Sequence, residues 1–203
     1  MVIKLLLAED QTVVRGALAA LLDLEPDLEV VAEAATGDDV VPRAMAYRPD
    51  VAVLDIDMPG ALDGLDAAAV LKERLPECRT LMLTANGRPG LLRRALDAKV
   101  DGFVLKTVPP DDLVAAIREV AGGGRVLDPT LAVTAWDLPD NPLTARERDV
   151  LRELANGAEP AEIATALFLS TGTVRNVLTA IVSKLNARNR TDAVRIAREA
   201  GWL

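Results

Sequence analysis

The chain has one cysteine, Cys78, among 203 residues. An internal disulfide framework is excluded, and a reducing compartment is the expectation. No apolar run comes near the ~20 residues a helix needs to cross a bilayer. Met1-Val-Ile-Lys4 leads straight into a short apolar segment with no small-residue cleavage pattern after it. The sequence therefore predicts a soluble cytoplasmic protein, with no signal peptide and no membrane insertion. Basic charge is also scarce, 23 Lys and Arg standing against 31 Asp and Glu for a net charge of −8. As an average, that balance argues against a nucleic-acid partner.

The average hides a division. Residues 1–121 carry 13 basic and 21 acidic side chains, whereas residues 122–203 carry ten of each. All the excess acid lies in the first part. Within the second, residues 163–191 hold Arg175, Lys184, Arg188 and Arg190 and no acid, a local charge of +4.

The first 121 residues alternate short apolar runs with amphipathic ones. Strands are predicted over 2–8, 28–34, 51–55, 79–84 and 101–105, and helices over 11–24, 37–48, 63–75, 88–98 and 110–121. Five such units imply an α/β, doubly wound, five-stranded parallel sheet joined by right-handed crossovers. Pro42 is expected to kink the second helix or delay its start.

Four apolar residues, Val51 to Leu54, run into Asp55, and Pro59-Gly60 then breaks the extended segment. Asp55 should stand at the carboxyl end of a buried strand, the edge where open α/β sheets bind ligands. Glu9-Asp10 follow the first predicted strand, Thr84 ends the fourth, and Lys106 follows the fifth. Clustered carboxylates repel one another and favour a hard divalent cation; Mg²⁺ accepts a few of them while keeping waters. Asp55 then suits a nucleophile toward a phosphoryl group, with the metal and Lys106 neutralising the transferred oxygens.

Glu9, Asp10, Asp55, Met58-Pro59, Gly64, Thr84-Ala85, Phe103 and Lys106 together resemble the receiver domain of bacterial two-component response regulators, over residues 1–121. The resemblance implies that Asp55 accepts phosphate from a sensor histidine kinase. It implies that Glu9, Asp10, Asp55 and the backbone carbonyl of Asp57 hold Mg²⁺. Thr84 would swing toward the phosphoryl group, Lys106 would pair with it, and Phe103 would rotate inward as a coupled aromatic switch. Asp57 and Asn86 flank the site at positions that set the dephosphorylation rate in such proteins. Asp55-Ile-Asp57 also has the DxD form of haloacid-dehalogenase-type phosphohydrolases, but there the pair follows the first strand and here the third.

Gly122-Gly-Gly-Arg125 ends the last of these helices, and residues 122–141 read as a linker. Asp128-Pro129 could cap a short helix reaching Trp136, which would be a packing anchor. Residues 142–203 show no strand pattern and predict an all-α, four-helix domain. It opens on a capping box, Thr144 with Glu147 three residues later, and continues in helices near 160–167, 171–186 and 191–200. The short break at Leu169-Ser170 has the spacing of a helix-turn-helix. Val174, Val177/Leu178, Ile181 and Leu185 form an inward stripe, which leaves Thr173, Arg175, Asn176 and Thr179 on other faces. Arg and Asn near the start of a second helix suit base edges in a major groove. Lys184, Arg188 and Arg190 suit phosphates.

Leu143-Thr-x-Arg-Glu147, Glu162-Ile-Ala164, Ser170-x-x-Thr-Val-Arg175, Lys184-Leu185 and Arg190 resemble the LuxR-type helix-turn-helix, which makes the chain similar to the NarL/FixJ class of response regulators. It departs from that pattern at Val177, where His is common, and at Ala158-Glu-Pro160. Within the class, the runs Ala8-Glu-Asp-Gln11 and Gly172-Thr-Val-Arg-Asn176 are similar to a regulator of membrane fluidity. The resemblance implies a regulator without turnover on an external substrate. Its phosphorylation on Asp55 would drive homodimerisation and binding to half-sites in double-stranded DNA.

Overall fold

All five apolar runs of the first 121 residues pair as parallel strands in the computed structural model, which describes residues 2–85, 89–127 and 141–203. In chain order the elements are β1 (Ile3–Ala8), α1 (Thr12–Leu22), β2 (Leu28–Ala34), α2 (Gly37–Tyr47), β3 (Val51–Asp55), α3 (Gly64–Arg74), β4 (Arg79–Thr84), α4 (Pro89–Asp97), β5 (Gly102–Leu105) and α5 (Pro110–Ala121). The sheet order is β2-β1-β3-β4-β5, extended at its edge by a two-residue strand, β6 (Val126–Leu127). The chain divides into two compact units, of which this sheet organises the first.

Both faces of the sheet are covered, as a parallel sheet requires. Leu5, Leu7, Val51, Val53, Leu81, Leu83 and Val104 pack on one face with Leu22 of α1 and Leu113, Val114, Ile117 and Val120 of α5. The alternate residues Leu6, Leu54, Met82 and Phe103 are equally buried on the other, where α2 and α3 pack against the strands. Each such side chain removes apolar area worth about 2 kcal/mol from water, and the period of two distributes that gain over both faces.

Local signals set where the helices begin. The Thr36 hydroxyl accepts from the Asp39 N–H to cap α2, and Asp63 and Asp66 cap α3 reciprocally. Helix α2 starts at Gly37 and runs through Pro42, so the expected delay of its start does not occur. The segment read as linker begins with β6, whose Val126 N–H donates to the Asp101 carbonyl at 3.2 Å. The free edge of β5 supplies unpaired backbone groups, and two residues are too few to show alternation. The short helix read over 128–136, with Trp136, lies outside the described residues, as does Asn86.

The second unit contains α6 (Ala145–Ala155), α7 (Pro160–Ala166), α8 (Thr171–Lys184) and α9 (Arg190–Glu199). The expected capping box opens α6, the Thr144 hydroxyl accepting from the Glu147 N–H. Ser170 caps α8 and Asn189 caps α9 in the same way. Val150, Leu151, Ile163, Val174, Leu178, Ile181, Leu185 and Ala193 form its core. No single helix among the described residues is long and apolar enough to cross a membrane.

Candidate functional site

The chain leaves β1 toward β2 on one side and returns to β3 on the other, so the connections diverge between β1 and β3. That divergence opens a crevice at the carboxyl ends of the two strands. Glu9 follows β1 and Asp55 ends β3, so both carboxylates stand at its mouth. One carboxylate oxygen from each of Glu9, Asp10 and Asp55 lies within 4.8 Å of the other two. Glu9 and Asp55 are buried and Asp10 is exposed.

Two buried carboxylates at this range require compensation. Lys106, one residue past β5, supplies it: Nζ donates to Glu9 Oε2 at 2.6 Å and to Asp55 Oδ2 at 2.9 Å. Burial works against the ammonium, but these two hydrogen bonds outweigh it and hold the Lys106 pKa above its ordinary value. The Lys106 N–H also donates to the Thr84 carbonyl at 2.8 Å, tying the ends of β5 and β4 together. Thr84 and Phe103 are both buried. Phe103 lies on β5, separated by β4 from the β3 end that carries Asp55.

The loop after β3 is pinned at two points by the start of α2. Asp38, in the first turn of α2, accepts from the N–H groups of Ala61 and Leu62 at 2.9 and 3.1 Å. The Gly37 N–H donates to the Pro59 carbonyl at 3.0 Å. Gly64 completes the arrangement, because a Cβ there would overlap the Asp55 carbonyl oxygen. Asp57 is exposed at the start of this loop.

Arg15 belongs to the site although nothing in the motif pointed to it. From the first turns of α1 its Nη1 donates to the Glu9 carbonyl at 2.5 Å, and its Nε donates to Glu33 at 3.0 Å. The side chain is 14% exposed, so the guanidinium is held between β1, β2 and α1. Its position six residues after Glu9 is the one available signal, and it is weak without knowing how α1 leaves β1.

In the second unit α7 and α8 turn through 108° across a break of four residues, within the range of a helix-turn-helix. Arg175, Asn176, Thr179 and Ser183 lie exposed on α8, opposite Val174, Leu178 and Ile181. Thr179 returns its hydroxyl to the Arg175 carbonyl at 3.0 Å, and Thr173 shares the Ser170 cap at 2.8 Å. Arg190 is exposed at the first turn of α9.

The local charge of +4 is altered by acids from outside the window. Lys184 Nζ donates to Glu147 at 2.7 Å. Burial opposes the Glu147 charge, but the bonds from Lys184 and Thr144 hold its pKa below the ordinary value. Arg188 donates through Nε and Nη2 to the two oxygens of Asp192, at 3.1 and 3.3 Å. The Arg188 bonds, then that from Arg195, push the Asp192 pKa well down. Among the described residues, the side chains of Arg175, Asn176 and Arg190 make no hydrogen bond or ion pair.

Comparison with known proteins matches both units. The family model of the response regulator receiver domain covers residues 5–118, and that of the bacterial regulatory proteins of the luxR family covers residues 141–197. Transcriptional regulatory protein DesR of Bacillus subtilis (strain 168) is 42% identical over 200 residues, spanning 98% of each chain. It is the regulator to which the runs from Ala8 and Gly172 are similar. YvfU of the same organism, an uncharacterized transcriptional regulatory protein, is also 42% identical, over 99% of this chain and all of its own. The structure of RcsB from Salmonella enterica serovar Typhimurium, bound to promoter rprA in the presence of the phosphomimetic BeF₃⁻, is 25% identical over 97% of this chain and 98% of its own, with a TM-score of 0.66. This chain belongs to the NarL/FixJ-class response regulators, which join a receiver domain to a LuxR-family DNA-binding domain.

Proposed function

We propose that Asp55 is the phosphoacceptor of a phosphorylation-controlled transcription regulator, and that a sensor histidine kinase is its donor. The observation that carries this reading is the placement of a buried Asp55 carboxylate 2.9 Å from Lys106 Nζ, in a three-carboxylate group that could hold a divalent cation. The Asp55 carboxylate attacks the phosphorus of a phosphohistidine whose other ring nitrogen carries a proton; the O–P bond forms as the P–N bond breaks, and the histidine leaves as neutral imidazole. Lys106 pairs with the new phosphoryl oxygens, and Thr84 closes on them. Phe103 rotates inward as the aromatic switch coupled to that movement. The only turnover is the chain's own phosphorylation and dephosphorylation.

Three carboxylates supply hard oxygen donors, and Lys106 limits their net charge, a set that suits Mg²⁺ held by Glu9, Asp10, Asp55 and the Asp57 backbone carbonyl. Bound there, Mg²⁺ neutralises charge on the transferred phosphoryl group. Residues 1–121 form the receiver, 122–141 the linker and 142–203 the DNA-binding domain. The phosphorylated receiver dimerises and presents two copies of α8 to two half-sites of a duplex. Arg175 and Asn176, with Thr173 and Thr179 beside them, read bases, while Lys184, Arg188 and Arg190 meet phosphates.

The test is Asp55→Ala, followed by sedimentation with and without a small-molecule phosphodonor and Mg²⁺. The wild-type chain shifts toward dimer on treatment and the variant does not. An equal shift in both removes Asp55 from the mechanism.

A further inference from the structure

Phe168 lies in the turn between α7 and α8 with 95% of its surface exposed, more than any other large apolar side chain among the described residues. Its backbone has φ +54°, in the left-handed region. A side chain with a Cβ is strained there, and glycine is the residue that adopts the conformation freely. The other described non-glycine residues with positive φ are Arg48, Lys99 and Asn186, all polar. Phe168 alone combines the strained backbone with an exposed ring.

Nothing inside the domain rewards this choice, because a ring so exposed packs on nothing. The turn is nonetheless well fixed. The Phe168 and Leu169 N–H groups donate to the Thr165 and Ala164 carbonyls at 3.3 and 2.8 Å, and Arg146 Nη2 donates to the Leu167 carbonyl at 2.7 Å. A rigid backbone holding an unpacked aromatic in a disfavoured conformation indicates a role outside the folded chain.

Charge and position identify the partner. Residues 163–191 contain no acid, so nothing carried by the turn or by α8 repels a polyanion. Ser170, two residues later, caps the helix whose exposed side carries Arg175 and Asn176. We propose that Phe168 is a DNA-contacting residue, its ring packing against deoxyribose and thymine-methyl surface at the rim of the groove that α8 enters. The inference rests on the DNA-reading role of α8. Apolar contact with sugar and methyl groups is an aromatic ring's part in such an interface, and basic side chains cannot supply it.

The test uses the full chain, loaded with BeF₃⁻ and Mg²⁺, and duplexes that the wild-type chain selects from a randomised pool. Phe168→Gly removes the ring and relieves the backbone, so its melting temperature should equal or exceed that of the wild type. Its affinity should fall about tenfold, the loss of one aromatic contact. The slope of log K against log salt should stay unchanged, because no charge is removed. Phe168→Asn, polar and tolerant of the same φ, should lose as much. A fall in melting temperature would make Phe168 a packing residue and overturn the proposal. Wild-type affinity in both variants, with Arg175→Ala still impaired, would overturn it too and leave the ring to a protein partner. If the wild type selects no duplex, the DNA reading itself fails and takes this inference with it.

Discussion

The Lys106 ammonium lies 2.9 Å from the Asp55 carboxylate although 51 residues separate them in the chain. The contact exists because β3 and β5 flank β4 and all three end on one edge. Lys106 therefore occupies charge space that a divalent cation would also use. Its raised pKa means that its share of stability is present below the ordinary lysine value and is lost only as pH rises through the folded one. At neutral pH the lysine is a fixed positive charge.

Lys106→Gln should accordingly move two properties in opposite directions. Removing a unit charge next to Glu9 and Asp55 should tighten Mg²⁺ binding by about a hundredfold, since such a charge at this range is worth about 3 kcal/mol at an effective dielectric of about 20. The phosphodonor-dependent shift toward dimer should shrink, because the phosphoryl oxygens lose their partner. Titration calorimetry measures the first and sedimentation the second. Unchanged metal affinity would show that Lys106 and the cation do not share the site.

What could be read from the sequence was what the chain encodes locally. The strand running into Asp55 announces itself by its apolar run and by Pro59-Gly60, and the start of α6 by Thr144 and Glu147 three residues apart. What escaped depends on tertiary approach. A charge count over residues 163–191 cannot see Glu147 reaching Lys184 across 37 residues, nor that Asp192, one residue beyond the window, would take Arg188. The bond from Arg15 to the Glu9 carbonyl escaped for the same reason: a backbone acceptor leaves no trace in residue identity.

Arg15 should act by holding the Glu9-Asp10 segment in place. Arg15→Gln loses both the bond to the Glu9 carbonyl and the pair with Glu33, and should weaken Mg²⁺ binding about tenfold, the usual scale for a group that orients metal ligands. Arg15→Lys should restore little, because an ammonium cannot address two acceptors in the fixed fork of a guanidinium. Full rescue by Lys would reduce Arg15 to a source of charge.

Asp101 lies just before β5 and is 6% exposed. It accepts from Lys72 at 3.1 Å, from Arg79 at 3.1 Å and from the Thr80 N–H at 3.0 Å. Burial opposes its charge, but these bonds prevail and hold its pKa below the ordinary 3.8. A carboxyl with a depressed folded pKa stabilises above its unfolded value and loses that contribution as pH falls through the folded one. Asp101→Asn, which leaves the partly exposed Lys72 and Arg79 without their carboxylate, should cost about 1–2 kcal/mol at neutral pH. The gap between variant and wild type should close as pH falls below 3.8. Urea unfolding across that range checks it, and a gap constant with pH would mean that the charge of Asp101 contributes nothing.

On the DNA-binding unit, the pairing of its basic residues orders their expected effects. Arg190 is exposed and unpaired among the described residues, so Arg190→Ala should weaken binding to all duplexes alike and lower the salt slope by about one. Arg188 already spends Nε and Nη2 on Asp192, and Arg188→Ala should lower the slope by less, since the charge it removes was partly neutralised. Arg175→Ala should behave differently from both. A guanidinium reading a guanine edge contributes about 1–3 kcal/mol of discrimination, so selected duplexes should lose more affinity than random ones. Fluorescence anisotropy on both kinds of duplex, repeated over a salt series, separates the three. Equal losses on selected and random DNA would place Arg175 on the phosphate backbone and leave Asn176 as the remaining base reader on that side of α8.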